Sequence, residues 1–238
     1  MSISFKELGN MGRLGNQLFQ IATTVALALR NHDNYVFPAW AAEPHFNLSG
    51  CFSGNIPNAQ TFKEAAFTYA PIPYRPNLNL EGFFQSEKYF LDQQDAIRHL
   101  LTPKSGIGVQ SGCTSVHVRR GDYTTLTKEY TQLDMSYFGR AMSMIGSPNY
   151  IVFSDDIPWC KANFRGSNIT FSEGKSPIED LSLMMQCEHQ IIANSSFSWW
   201  GAWLNKNPSK KVIAPARWFG PALPHDTRDL LPPSWIKI

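Results

Sequence analysis

The 238-residue chain is expected to be an α/β protein built on parallel sheet, and three observations carry that expectation. It opens as a strand, a glycine loop and a helix. From about residue 113 onward, short apolar strands alternate with helical stretches, the rhythm of a doubly wound sheet. The strand Tyr150–Phe153 is almost continuously apolar, as strands buried on both faces are.

The first element is the strand Ile3-Ser-Phe5. It feeds Gly9-Asn-Met-Gly12-Arg-Leu-Gly15, after which Leu18, Ile21, Val25 and Ala28 recur on one helical stripe. Residues 32–80 are interrupted by Pro38, Pro44, Pro57, Pro71, Pro73 and Pro76, so short elements and long loops are expected there. A linker is expected across Thr102–Thr114, where Pro103, Gly106, Gly108 and Gly112 break every period. Beyond it, strands are expected at Ser115–Val118, Tyr150–Phe153, Ile169–Phe171, Gln190–Ala193 and Lys211–Ala214. Helices are expected at Ser136–Ile145, Ile178–Glu188 and Phe197–Asn205. In such a sheet, ligands bind outside the carboxyl ends of the strands.

Composition removes several classes of function. With 43% hydrophobic and 17% charged residues the chain can build a core, and disorder is not expected. A formal charge of +2 without a clustered basic face points away from nucleic acid. The apolar stretch Ile21–Leu29 is too short for a membrane span and contains Thr23 and Thr24, and no signal peptide is expected. Peripheral membrane association stays open. Cys51, Cys113, Cys160 and Cys187 are scattered without a Cys-x-x-Cys pair, so reduced thiols in a cytoplasm are expected, with neither a zinc site nor a disulfide framework.

Three segments carry candidate chemistry. In His117-Val-Arg119-Arg120-Gly121-Asp122-Tyr123, strand alternation puts His117 and Arg119 on one face. A guanidinium there can grip a diphosphate bidentately, or be tied up in a salt-bridged strand end with Asp122. In Asn194-Ser195-Ser196-Phe197, a helix begins directly after a strand. The N–H groups of Ser195, Ser196 and Phe197 could receive a phosphate, or Asn194 or Ser195 could simply cap the helix above a tryptophan core. Gly12-Arg13-Leu14-Gly15-Asn16-Gln17 allows close backbone approach to a ligand, with Asn16 offering a donor and an acceptor, or is an ordinary turn. Of Asp155 and Asp156, one should face the ligand crevice and the other cap the next helix. Asp180 begins a helix, where it can serve the dipole.

Taken together these segments resemble the α-1,2-fucosyltransferases of glycosyltransferase family 11. The resemblance extends through Gly82–Phe90, Phe153–Cys160, Ile191–Leu204, Val212-Ile-Ala-Pro and Trp235-Ile-Lys-Ile238, in family order. It implies a GT-B architecture of two Rossmann-like halves facing across a cleft, residues 1–105 on the acceptor side and residues 106–238 binding the donor, GDP-β-L-fucose. It implies inverting transfer of fucose to the 2-hydroxyl of a galactose in a glycan acceptor, with no cofactor and no metal. On this resemblance Arg119 binds the donor β-phosphate, His117 lies near the guanine or ribose, and Asp180 contacts guanine. Ser195, Ser196 and Phe197 complete the phosphate pocket beside Asp155, and Asn16 reaches the sugar or diphosphate. Arg120 and Asp122 are structural.

The general base is open among Asp155, Asp156, Asp122, Glu87, His117 and the donor phosphate itself. Two rival functions remain at this level. One is another GDP-fucose enzyme with an α-1,6 or protein-linked product. The other is a non-catalytic sugar-nucleotide or glycan-binding protein whose aromatic residues, such as Trp159 and Phe84, stack on sugars.

Overall fold

The computed structural model describes residues 1–48, 50–52, 60–104, 108 and 112–238. Much of the expected linker, at 105–107 and 109–111, lies outside the described residues. The chain is α/β and divides into two compact units, Met1–Lys104 with His225–Pro232, and Ser105–Pro224 with Pro233–Ile238. The return of His225–Pro232 to the first unit is a feature that a single cut near residue 105 does not contain.

In the first unit, β1 (Ser2–Ser4) leads through the glycine loop into α1 (Leu14–Arg30), then β2 (Asn34–Val36), β3 (Gln60–Lys63), β4 (Leu78–Glu81) and α2 (Gln94–Leu101). The four strands form one parallel sheet in the order β2-β1-β4-β3. Leu18, Ile21, Val25 and Ala28, the stripe read from the sequence, are all fully buried. The returning segment is held within this unit by Asp229, whose carboxylate accepts from Tyr69 N–H at 3.1 Å and from Lys88 Nζ at 2.6 Å.

The second unit contains β5 (Cys113–Val118), α3 (Met135–Ile145), β6 (Asn149–Ser154), α4 (Ile157–Asn163), β7 (Ile169–Phe171), α5 (Pro177–Gln186), β8 (His189–Ile191), α6 (Ser196–Leu204), β9 (Val212–Ala214) and β10 (Ile236–Lys237). All six strands are parallel, in the order β10-β9-β8-β5-β6-β7. Local chemistry sets the helix limits. Asp134 caps α3 through Ser136 and Tyr137 N–H, and Gly146 ends it in the left-handed conformation. Ser176 and Glu179 form a capping box at the start of α5, with Pro177 in its first turn.

Both faces of this sheet are covered. Val116, Val118 and Val152 pack with Phe138, Ala141 and Cys160 of α3 and α4, while Phe153 packs with Leu183 and Met184 of α5 on the other face. Each Val, Leu, Phe or Met side chain among these stabilises the fold on full burial by about 1.5–3 kcal/mol. Two adjacent tryptophans cannot share a helix face, and α6 resolves this by being buried all round: Trp199 and Trp200 are both fully buried, Trp199 stacking on Trp203 and tilting against Trp235. Lys210 closes the far end of α6 by donating to Ala202 and Asn205 carbonyls at 2.6 and 2.7 Å. No helix of the described residues is long and apolar enough to cross a membrane.

Candidate active site

In the second sheet the chain runs from β5 outward to β6 and β7, then returns to place β8 on the other side of β5. The carboxyl ends of β5 and β8 therefore flank a topological switch point, where a ligand crevice opens in sheets of this kind. His117 is the last but one residue of β5, and Arg119 follows it. The start of α6 follows β8. The His117 and Phe197 rings lie 5.6 Å apart, and Tyr123 donates its hydroxyl to Asn194 O at 3.2 Å, so the two segments meet. Asn194 is a pin, its amide donating to Thr131 O at 3.0 Å and Trp218 O at 2.8 Å.

Arg119 is bound on two sides. Its Nη1 pairs with Asp155 Oδ2 at 2.5 Å, its Nη2 pairs with Asp122, and its guanidinium carbon sits 5.2 Å from the Tyr123 ring. The salt-bridged strand end and the oriented guanidinium are one arrangement. Each terminal nitrogen carries a second N–H and Nε a third, so the fork can still donate to an anion while the carboxylates fix its plane. Asp155 is thus joined to Arg119, and its Oδ1 also accepts from Arg120 N–H at 2.9 Å. Asp156 caps α4 through Trp159 N–H at 3.1 Å and pairs with Arg120 Nε at 3.1 Å. Arg120 in turn lies 4.2 Å over the Trp159 ring.

His117 is buried, with Nδ1 unpartnered among the described residues. Burial, and secondarily the Arg119 charge, push its pKa down to about 3, so the ring is neutral near neutral pH. At the start of α6, Ser195 is the cap and its Oγ accepts from Phe197 N–H at 3.4 Å. Ser195 N–H is bonded to Ala193 O at 2.8 Å. Two of the three amides read from the sequence as phosphate donors, those of Ser195 and Phe197, are therefore engaged within the turn, the Phe197 bond being the weaker of the two. Asp180 sits in the first turn of α5 and accepts from Ser172 Oγ at 2.6 Å, with its pKa raised by burial.

Asn16 belongs to the first unit, in the opening turn of α1, where its Oδ1 accepts from Gln85 Nε2 at 2.8 Å. Gly12, at φ +77°, has no room for a Cβ because the Asn16 side chain covers it, so the glycine turn is built around this asparagine. The idea that Phe84 stacks on a sugar is corrected by its full burial, and Trp159 is already covered by Arg120. Sequence reading gave Tyr123 and Gln85 no role, although each stands within a segment it singled out, and of its two candidate caps for α6 Ser195 takes the place while Asn194 joins loops instead.

Among the described residues no group of three or more His, Cys, Asp or Glu is placed to hold a metal ion. What the geometry offers is a cationic fork and a helix start at the switch point of a parallel sheet, the equipment of a protein that handles an anionic, phosphate-bearing group. The model of glycosyl transferase family 11 matches residues 32–238, and the chain belongs to that family.

Individual relatives are similar at lower identity. An α-1,2-colitosyltransferase from Escherichia coli is 29% identical, with 95% of this chain and 96% of the relative covered. The O-antigen biosynthesis glycosyltransferase WbnK from the same organism is 37% identical over 57% of this chain and 47% of its own length. Human galactoside α-(1,2)-fucosyltransferase 1 is 29% identical over 81% of this chain. The chain thus spans about half of WbnK and 63% of the human protein. Among solved structures, the fucosyltransferase NodZ from Bradyrhizobium is similar with a TM-score of 0.49 and 12% identity, covering 84% of this chain and 91% of NodZ.

Proposed function

We propose that this chain moves L-fucose from GDP-β-L-fucose to the 2-hydroxyl of a galactoside, with inversion, releasing GDP and using no metal. The second unit takes the donor and the first the acceptor, the two halves forming a GT-B enzyme. The observation that carries this reading is that the segment bearing Arg119 meets the start of α6 at the β5/β8 switch point, through the His117 and Phe197 rings and the Tyr123–Asn194 hydrogen bond. The family membership and the names of the relatives support the sugar chemistry.

The reaction is a single displacement through an oxocarbenium-like state. The bond from the sugar's anomeric carbon to the diphosphate breaks as a bond to the galactose oxygen forms on the opposite face. Arg119, its fork set by Asp155 and Asp122, balances the charge that grows on the departing diphosphate, and the first turn of α6 adds to it. His117 offers a neutral ring to the nucleoside, Asp180 an acceptor to the guanine N–H groups, and Asn16 an amide to a sugar hydroxyl. Of the side chains open as the base, Asp122, Asp155 and Asp156 are paired to arginines and His117 is a weak base, which favours passage of the acceptor's proton to the departing diphosphate, with Glu87 as the remaining side-chain alternative. A cytoplasmic setting with reduced thiols completes the reading.

The near full-length match to a colitosyltransferase favours one second reading, colitose in place of fucose, the two sugars differing by a ring hydroxyl. One assay separates them. The chain is incubated with lactose, a chelator and either GDP-fucose or GDP-colitose; released GDP is measured with and without lactose, and the product linkage is determined. Lactose-dependent GDP release from GDP-fucose in the chelator, with an α-1,2 product, is expected. Release from GDP-colitose alone selects the second reading. A different linkage, or nucleotide binding without consumption, refutes both.

A further inference from the structure

At the carboxyl end of β4 the backbone enters a conformation that bulky residues avoid. Phe84 has φ +51° with its ring fully buried, edge-on to Phe5 and Tyr89 at 6.4 and 5.2 Å between centroids. A non-glycine residue held this way costs about 1–3 kcal/mol and persists only where its surroundings over-determine it. What over-determines it here is Glu64, the residue after β3. Its Oε2 accepts from Phe83 N–H at 2.7 Å and its Oε1 from Phe84 N–H at 3.0 Å. The side chain packs so closely that Gly82 has no room for a Cβ. Glu64 N–H also donates to Glu81 O at 2.8 Å, which carries the β3–β4 ladder into the bend. Burial pushes this carboxyl's pKa up while the two backbone donors pull against it.

The bend sits where a ligand is expected. In the order β2-β1-β4-β3, α1 carries the chain from β1 to one edge, and β3 and β4 return from the other, so the carboxyl ends of β1 and β4 flank a second switch point. Gln85, immediately after the bend, donates from Nε2 to Asn16 Oδ1 at 2.8 Å, joining the loops that follow β4 and β1. Gln20 braces both loops, donating to Met11 O at 3.1 Å and Gly82 O at 3.4 Å. Amides of this kind suit neutral hydroxyls, because one group donates and accepts without the desolvation cost of a charge.

We propose that Glu64 is a positioning residue for a saccharide-binding edge of the first unit: by accepting from both Phe83 and Phe84 N–H it holds the left-handed bend that sets the Gln85 amide, anchored on Asn16, against the hydroxyls of a neutral sugar. The proposal rests on the reading of the first unit as the acceptor half. It adds the residue that sets the geometry and the amide that does the recognising. Gln cannot replace Glu64 without cost, because its NH₂ would face one of the two backbone donors.

The test uses the whole chain as wild type, Glu64→Gln, Gln85→Met and the double variant. Three quantities are read: saturation transfer to lactose by NMR, the GDP Kd by calorimetry, and kcat and KM for each substrate. Both single variants are expected to lose lactose saturation transfer and to raise the lactose KM or lower kcat by about 10- to 100-fold. GDP affinity is expected to stay within about twofold, the two sites lying in separate units. The double variant should be no worse than the weaker single, since both act along one path.

Lactose saturation transfer that is absent from the wild type, or that survives in Gln85→Met, overturns the proposal. So do additive losses, or a Glu64→Gln variant that loses GDP and lactose binding together. Where Glu64→Gln does not fold, Gln85→Met alone decides. Failure of the enzymatic reading is seen separately, as a wild type that binds lactose and GDP but never consumes GDP-fucose.

Discussion

The two units set parallel strands side by side but arm their switch points differently. At the β5/β8 crevice the groups are charged: Arg119 and Arg120 interlock with Asp122, Asp155 and Asp156. At the β1/β4 crevice they are amides, Asn16 and Gln85 bonded to each other with Gln20 as a brace, and the carboxylate, Glu64, is engaged by backbone N–H groups. Prepaired charges suit a ligand that brings its own charge, because the fork is oriented before binding. Neutral amides suit a ligand made of hydroxyls. The difference teaches that one architecture can carry a charged crevice and a neutral one through side-chain chemistry alone, which is what the proposed division between an anionic donor and a neutral acceptor requires.

Substitutions on either side should break this contrast to different degrees. The largest effect belongs to Arg119: Arg119→Ala is expected to lower turnover by about 10³-fold, and Arg119→Lys nearly as much, because an ammonium cannot reproduce the fork. Steady-state GDP release, with circular dichroism to show folding, checks this, and near-normal turnover by Arg119→Lys removes the assignment. Asp155→Asn leaves Arg119 charged but loosens its orientation, so about a tenfold loss in kcat/KM for the donor is expected. An unchanged value would mean that Asp155 does not set the guanidinium.

Gly12→Ala tests the other unit. A left-handed position covered by Asn16 should cost about 1–3 kcal/mol of stability, read by urea denaturation, and raise the acceptor KM while GDP binding holds. The smallest effect is on pH dependence. His117 is folded neutral with a pKa near 3, below its unfolded value, so the stability it contributes is full above about pH 6.5 and is lost as pH falls towards the folded pKa. Going from about pH 6.5 to 5.5 should cost about 1 kcal/mol. His117→Gln should flatten that part of the profile, and an unchanged slope would show that the ring does not titrate as its burial implies.

The same contrast explains what could be read from sequence. β5 through β9 were legible because their strands are apolar runs separated by helices with ordinary stops, Gly146 after α3 and Pro177 at the start of α5. In the first unit β2, β3 and β4 have three or four residues each, β2 and β3 half-exposed, between prolines, so no period develops. The site followed the same division. His117, Arg119 and Ser195 stand in segments whose residue types suggest their chemistry. The Arg119–Asp155 pair joins neighbouring strands far apart in the chain, and it becomes visible only when β5 and β6 are set in register. Glu64 left no signal at all: a single glutamate at a strand end acquires its role from a bend at Phe84 that local propensity argues against.

Soaking crystals of the chain with GDP and locating the diphosphate is the most direct trial of the whole account. The expected result is a β-phosphate within hydrogen-bond distance of the Arg119 guanidinium and the first turn of α6, with no cation between. A diphosphate lodged elsewhere in the second unit, or bridged to the protein by a divalent ion, contradicts it.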